Sequence, residues 1–275
     1  MRIILSIFLV LISYMSWAVE PLKEYVDHPA NSTVNFEALE IVTKDDYKLK
    51  SWICFPPKDK DLKKVLVLAY GDAGNMSYYV RQVLEVAKHG YTVVMFDYRG
   101  YGESQAFDMI ETQLYYDEFV TDLKAVVEYS QKRFEQPVGV WALSMGTIAS
   151  TLLYTDLKFD FLIAEGFVSS PRDIISKLKQ FLEKEYTLPS SAAQYELALS
   201  KLTLPVLYFA GDRDGLTSPN DSYRAKFLNA KSEVVLYKGA HLQGFQALSD
   251  TTHGERYIKA IDTFMNNMNT VVESK

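Results

Sequence analysis

The sequence predicts an α/β fold: a doubly wound, mostly parallel sheet, entered through an antiparallel hairpin and interrupted by a small helical lid. Three observations carry this expectation. Short, continuous apolar runs alternate with stretches of helical spacing, and such runs suit parallel strands covered on both faces. One run, Val138–Leu143, ends abruptly at Ser144 and gives way to a helical pattern over Thr147–Tyr154. The alternation pauses between Gly166 and Leu204 and then resumes, as an insertion on one sheet edge would make it do.

The first 18 residues have the layout of a signal peptide. Arg2 is the charged start, Ile3–Met15 is apolar but short for a bilayer span, and Ser16-Trp17-Ala18 offers small residues for cleavage. The expected mature chain, residues 19–275, is one exported domain, periplasmic or secreted, with no stable membrane span. Residues 19–35 are polar and proline-bearing. Phe36–Thr43 and Tyr47–Phe55 are strand-like and joined by the turn-forming Lys44-Asp45-Asp46, which predicts the hairpin.

Val65–Ala69 begins the alternation and leads into the glycine-bearing loop Tyr70–Asn75. A helix is expected from a Ser77 cap to Lys88, with His89-Gly90 ending it. Thr92–Phe96 is the next strand, followed by the turn-rich Asp97–Ser104. Apolar positions Tyr116, Phe119, Val120, Leu123, Val126 and Val127 mark an amphipathic helix. After the run ending at Ser144 comes an apolar strand over Phe159–Ala164. The lid, about residues 167–203, opens at Pro171 with Ile174, Ile175, Leu178, Phe181 and Leu182 on one helical face and adds a second amphipathic stretch, Ala192–Leu202. Strands Val206–Ala210 and Val234–Tyr237 flank a helix over Pro219–Leu228, and a final helix spans about Glu255–Met268.

Composition excludes several function classes. The 275 residues are 48% hydrophobic and 23% charged, with a net charge of -6 and a pI near 5.3, so no basic stripe favours nucleic acid or an anionic membrane. Losing residues 1–18 leaves 28 basic against 35 acidic residues. The single cysteine, Cys54, permits no internal disulfide, and four scattered histidines have no zinc-ligand spacing. No metal or cofactor is expected.

Chemistry is expected where the strands end. A serine at a strand–turn–helix junction, flanked by Ala142 and Gly146, has the layout of a nucleophile elbow, with one alanine in place of the usual first glycine. A nucleophilic serine needs a base, and the base an orienting acid. In this architecture they follow in the order serine, acid, histidine. His28 and His89 precede Ser144. Of the two that follow, His241 stands directly after a strand, in Lys238-Gly-Ala-His241, whereas His253 lies in a polar segment. The acid is Asp214 by its place in Gly211-Asp-Arg-Asp-Gly215, with Asp212 read as serving that loop's own amides and Glu165 a third possibility. Backbone N–H groups of Met145 and Asp72 are the expected oxyanion-hole donors. Asp97, Arg99 and Ser104 are read as bracing the loop beside the elbow.

Taken together, Gly71-Asp-Ala-Gly-Asn75, Asp97-Tyr-Arg-Gly-Tyr-Gly-Glu-Ser104, Leu143-Ser-Met-Gly146, Gly211-Asp-Arg-Asp214 and Gly239-Ala-His241 resemble the α/β-hydrolase superfamily over nearly the whole mature chain. Similarity is greatest to the serine-aminopeptidase-like hydrolases related to prolyl oligopeptidases. The resemblance implies Ser144 as nucleophile, Asp214 as acid and His241 as base, acting on a small-molecule ester, thioester or peptide-like substrate without a cofactor. Tyr70 departs from the histidine usual before the oxyanion glycine. An aminopeptidase would need carboxylates for a free amine, and Glu165, Glu183 and Glu185 are available. A binding protein that keeps the fold without turnover is the rival expectation.

Overall fold

The structure is a computed structural model that describes residues 20–110, 112–183 and 185–273. The expected signal segment, residues 1–18, lies outside the described residues. Eight strands form one sheet: β1 (Phe36–Val42), β2 (Lys48–Cys54), β3 (Val65–Ala69), β4 (Thr92–Phe96), β5 (Val138–Leu143), β6 (Leu162–Glu165), β7 (Val206–Gly211) and β8 (Ser232–Tyr237). Their spatial order is β1-β2-β4-β3-β5-β6-β7-β8. The β1–β2 hairpin is antiparallel, as is β2 with β4, and every pairing from β4 to β8 is parallel.

Burial explains the sequence pattern. Every residue of β3, β4 and β5 is buried, which requires cover on both faces of the sheet and accounts for continuous apolar runs there. Edge strand β1 instead exposes alternate positions. The helices are α1 (Val80–Lys88), α2 (Tyr116–Arg133), α3 (Met145–Leu153), α4 (Pro171–Leu182), α5 (Tyr195–Ser200), α6 (Pro219–Leu228), α7 (Gly244–Ala247) and α8 (Glu255–Glu273). Tyr257 of α8 stacks on Phe209 of β7 at 3.8 Å between ring centroids, fixing that helix to the sheet.

Several boundaries differ from expectation. Ser77 does not cap α1. Asn75 Oδ1 accepts from Ser77 N at 3.0 Å and opens a short 3-10 turn, Met76–Tyr79, ahead of the helix. Strand β6 begins at Leu162 rather than Phe159: its ladder with β5 starts at the Val140–Leu162 pair, and Phe159 and Phe161 are apolar because they are buried ahead of it. Ala192–Leu202 is not one helix: it holds the end of a 3-10 turn, Ser190–Gln194, and then the short α5. Cys54 is buried in β2, and burial pushes its thiol up to about 12, so it is inert.

Candidate active site

Ser144 sits between β5 and α3 with φ 50° and ψ -115°, a region that few non-glycine residues occupy. Neighbours hold it there. Its N–H donates to the Glu165 carbonyl at 2.9 Å, and its own carbonyl accepts from Thr147 N at 2.8 Å and Thr147 Oγ1 at 2.7 Å. Gly146 is a steric necessity, since a Cβ there would lie 1.9 Å from the Ala69 carbonyl oxygen on β3. Ala142, the departure from the usual glycine, is fully buried within the β3–β5–β6 ladders without disturbing them.

Strand ends β7 and β8 bring the other two groups to this serine. The ring of His241 presents Nε2 2.9 Å from Ser144 Oγ and Nδ1 2.7 Å from Asp214 Oδ2. With Nδ1–H donating to the carboxylate, Nε2 is left as the acceptor for the serine hydroxyl. The Asp214 carboxylate is almost wholly buried and also accepts from Leu216 N, Thr217 N and Thr217 Oγ1 at 2.7–2.9 Å. Burial works against its ionisation, but the bonds and charge of His241 and the Thr217 donors outweigh that and hold its carboxyl below the usual value.

The two aspartates of the Gly211–Gly215 turn have the opposite roles toward the loop from those expected. It is Asp214 that serves its own loop's amides, as an Asx turn does, while Asp212 reaches across to Gly239 N at 3.0 Å and steadies the histidine loop. Glu165, the alternative acid, does not meet the His241 Nδ1. Its carboxylate turns beneath the loop to Gly244 N at 2.6 Å and Tyr237 Oη at 3.1 Å. His253 is packed beside Phe245 with ring centroids 5.1 Å apart, rather than standing free on the surface.

Tyr70-Gly71-Asp72 lies against the serine: a Cβ on Gly71 would stand 3.6 Å from Ser144 Cβ. Tyr70, in place of a histidine, donates its hydroxyl to Asp97 Oδ1 at 3.1 Å, and the same carboxylate accepts from Met76 N at 2.7 Å and Tyr25 Oη at 2.5 Å. Burial nevertheless raises the Asp97 carboxyl to about 6. Ser104 donates to the Asp97 carbonyl, and buried Arg99 bonds both Asp122 and Asp45, so this cluster braces the loop. Residues 20–26 add a strap: Glu20 and Pro21 pair with Ala73 and Gly74, and Asn75 Nδ2 donates to the Leu22 and Glu24 carbonyls.

A cavity of about 220 Å³ opens over Ser144 and His241. Its wall is largely apolar, from Leu114, Met145, Ile148, Val168, Leu216 and Leu242, with Ile174 and Leu178 of α4 and the rings of Tyr79, Tyr115 and Tyr116. Asp72 is the one carboxylate lining it among the described residues. Glu183 and Glu185 are exposed and not part of the wall, and Glu185 pairs with Lys179 at 2.5 Å. Phe181 and Leu182 have side chains outside the described residues. Among the described residues no cluster of His, Cys, Asp or Glu is placed to hold a metal ion.

Comparison with known proteins agrees with this layout. Residues 60–184 match the family model described as serine aminopeptidase, S33. An esterase of Pyrococcus furiosus superimposes with a TM-score of 0.71 at 20% identity, covering 90% of this chain and 99% of that one. The chain has the α/β-hydrolase fold. Another α/β-hydrolase-fold structure, an esterase of Exiguobacterium antarcticum, superimposes with a TM-score of 0.61 at 17% identity over 84% of this chain and 100% of its own. At these identities the likeness is one of fold. Among curated relatives, Protein bem46 of Schizosaccharomyces pombe is 25% identical over 90% of this chain and 83% of its own length. An uncharacterized membrane protein of Saccharomyces cerevisiae is 24% identical over 75% and 72%.

Some of what surrounds the site in this fold carries little or no signal in the sequence. Thr217 bonds Asp214 and lies 3.2 Å from His241 Nδ1. Its signal was present, as a threonine three residues after an aspartate in a turn. Tyr25 and Asn75 carried no signal, because their partners lie 72 and 51–53 residues away in sequence. Likewise, nothing in the periodicity told that Leu114, Tyr115 and Tyr116 would form a wall of the cavity.

Proposed function

We propose that this chain is a serine hydrolase that cleaves a carboxylic ester through an acyl-enzyme on Ser144. The observation that carries the reading is the continuous hydrogen-bonded line Ser144 Oγ–His241 Nε2, His241 Nδ1–Asp214 Oδ2, at 2.9 and 2.7 Å, opening into an apolar cavity. In this reading Nε2 takes the hydroxyl proton as Oγ attacks the carbonyl carbon, and Asp214 holds the imidazolium that forms. Negative charge then gathers on the carbonyl oxygen. Met145 N–H, at the first position of α3 where a helix supplies no backbone acceptor, would donate to that charge, with Asp72 N–H as the second donor. The imidazolium returns its proton to the leaving alcohol, and water, activated by the same histidine, releases the acid.

Apolar walls of limited volume favour an acyl group of a few carbons, and thioesters fit the same chemistry. The aminopeptidase reading rests on the matched family description and on Asp72 as a carboxylate that would face a free amine. A binding protein without turnover is the reading that the strained serine and its aligned histidine argue against. A panel of p-nitrophenyl esters from acetate to octanoate, beside aminoacyl-anilides, separates the three. Turnover that peaks at short esters supports the proposal, anilide turnover alone supports the peptidase, and no turnover of either supports binding. We further propose export, with cleavage after Ala18. Amino-terminal sequencing of exported protein should then read from Val19, and a start at Met1 would mean an anchor.

A further inference from the structure

Glu165 is bonded both to the nucleophile turn and to the loop that follows His241. It is the last residue of β6, and its carbonyl receives the Ser144 N–H at 2.9 Å, which helps hold the strained elbow. Its side chain is 3% exposed and runs the other way, under the loop that carries His241. There Oε1 accepts from Gly244 N at 2.6 Å and from Tyr237 Oη at 3.1 Å, and the Tyr257 hydroxyl also bonds the carboxyl.

The fit around it is close. A Cβ on Gly244 would lie 2.7 Å from Oε1, and one on Gly166 would lie 2.7 Å from His241 Cε1. Tyr257 is itself fixed by Trp141 Nε1 at 3.1 Å, and Tyr237 Oη also lies 3.1 Å from the Ala240 carbonyl just before the histidine. Leu242, between His241 and Gly244, has φ 55°, a conformation that surrounding bonds must enforce. A buried carboxyl so fully engaged is costly to place, and Asp214 already fills the role of orienting acid.

We infer that Glu165 is a positioning residue that locks the His241 loop to the nucleophile turn, setting the Nε2–Oγ distance. This rests on the proposed serine-hydrolase chemistry. Glu165 touches neither substrate nor the reacting atoms. It acts through the Gly244 amide and through Tyr237.

The test is kinetic, with p-nitrophenyl butyrate and melting temperatures on Glu165→Gln, Glu165→Ala and Tyr237→Phe. Glutamine keeps an oxygen for Gly244 N–H, and its amide NH2 donates to a tyrosine hydroxyl, so kcat should stay within about fivefold of wild type. Alanine frees the loop, and a histidine misplaced by about 1 Å should lower kcat by roughly 10²-fold with KM within about twofold. A Glu165→Ala enzyme with wild-type kcat, or one whose loss falls in KM, overturns the inference. So does Glu165→Gln falling as far as Glu165→Ala. If Glu165→Ala does not fold, Tyr237→Phe decides: kcat about 3–10-fold lower at unchanged KM is expected from loss of one hydrogen bond, and wild-type kinetics overturn the inference. A wild-type enzyme that turns over no ester, thioester or anilide fails the hydrolase reading itself, a result distinct from any of these.

Discussion

Gly146→Ala should injure the site more than its size suggests. The added methyl would sit 1.9 Å from the Ala69 carbonyl oxygen and 2.6 Å from the Ala69 carbonyl carbon, both backbone atoms. Reaching ordinary contact at 3.4 Å requires about 1.5 Å of movement. Strand β3 cannot supply it, because β4 and β5 hold it on both sides. Helix α3 must therefore move out, carrying Ser144 with it. Overpacking of this kind costs ~1–3 kcal/mol, or a melting temperature lower by roughly 3–10 °C for a chain of this size. A nucleophile displaced by ~1 Å from its base should cost about 10²-fold in kcat. Differential scanning fluorimetry and ester hydrolysis measure the two effects. Ala142→Gly is the control: it removes a buried methyl from β5, costing about 1 kcal/mol with no clash and little change in rate. A Gly146→Ala enzyme with kcat within fivefold of wild type would refute the argument that this glycine sets the elbow.

Other changes follow from the same geometry. Asp214→Asn should lower kcat by roughly 10⁴-fold, as loss of a triad acid does, whereas Asp212→Asn keeps an acceptor for Gly239 N and should cost less than about tenfold. Leu178→Ala, on the cavity wall, should shift chain-length preference toward longer esters by ~10–200-fold, and an unchanged profile with a lower melting temperature would make α4 packing alone. Asp97 predicts a pH dependence of stability. Its folded value of about 6 stands above the ordinary 3.8, so its contribution is complete below about 3.8 and is lost as pH rises through 6. Asp97→Asn should flatten the stability curve between about pH 4 and 7 by on the order of 3 kcal/mol, and identical curves would remove Asp97 as the cause.

What could be read in the sequence is what short-range chemistry dictates. The apolar runs of β3, β4 and β5 showed a covered sheet because burial on both faces leaves no alternation, and His241 stood out because it follows β8 directly. Strain at Ser144 was implied by a strand running straight into a helix. What could not be read depends on distant partners. The strap of residues 20–26 over the Tyr70–Asn75 loop, the Tyr25–Asp97–Tyr70 cluster and the turn of Glu165 away from His241 each join segments tens of residues apart. Ser77 misled for the opposite reason: a serine is a good cap, but Asn75 two residues earlier took that role and drew Ser77 into its own hydrogen bonds.

The most direct measurement of the central claim is covalent labelling by a fluorophosphonate, followed by peptide mapping, alongside turnover of the Ser144→Ala variant. A single adduct on Ser144 is expected, with a variant that folds with wild-type melting behaviour but loses turnover by a factor on the order of 10⁶. An adduct on another serine, or turnover that survives Ser144→Ala, would contradict that claim.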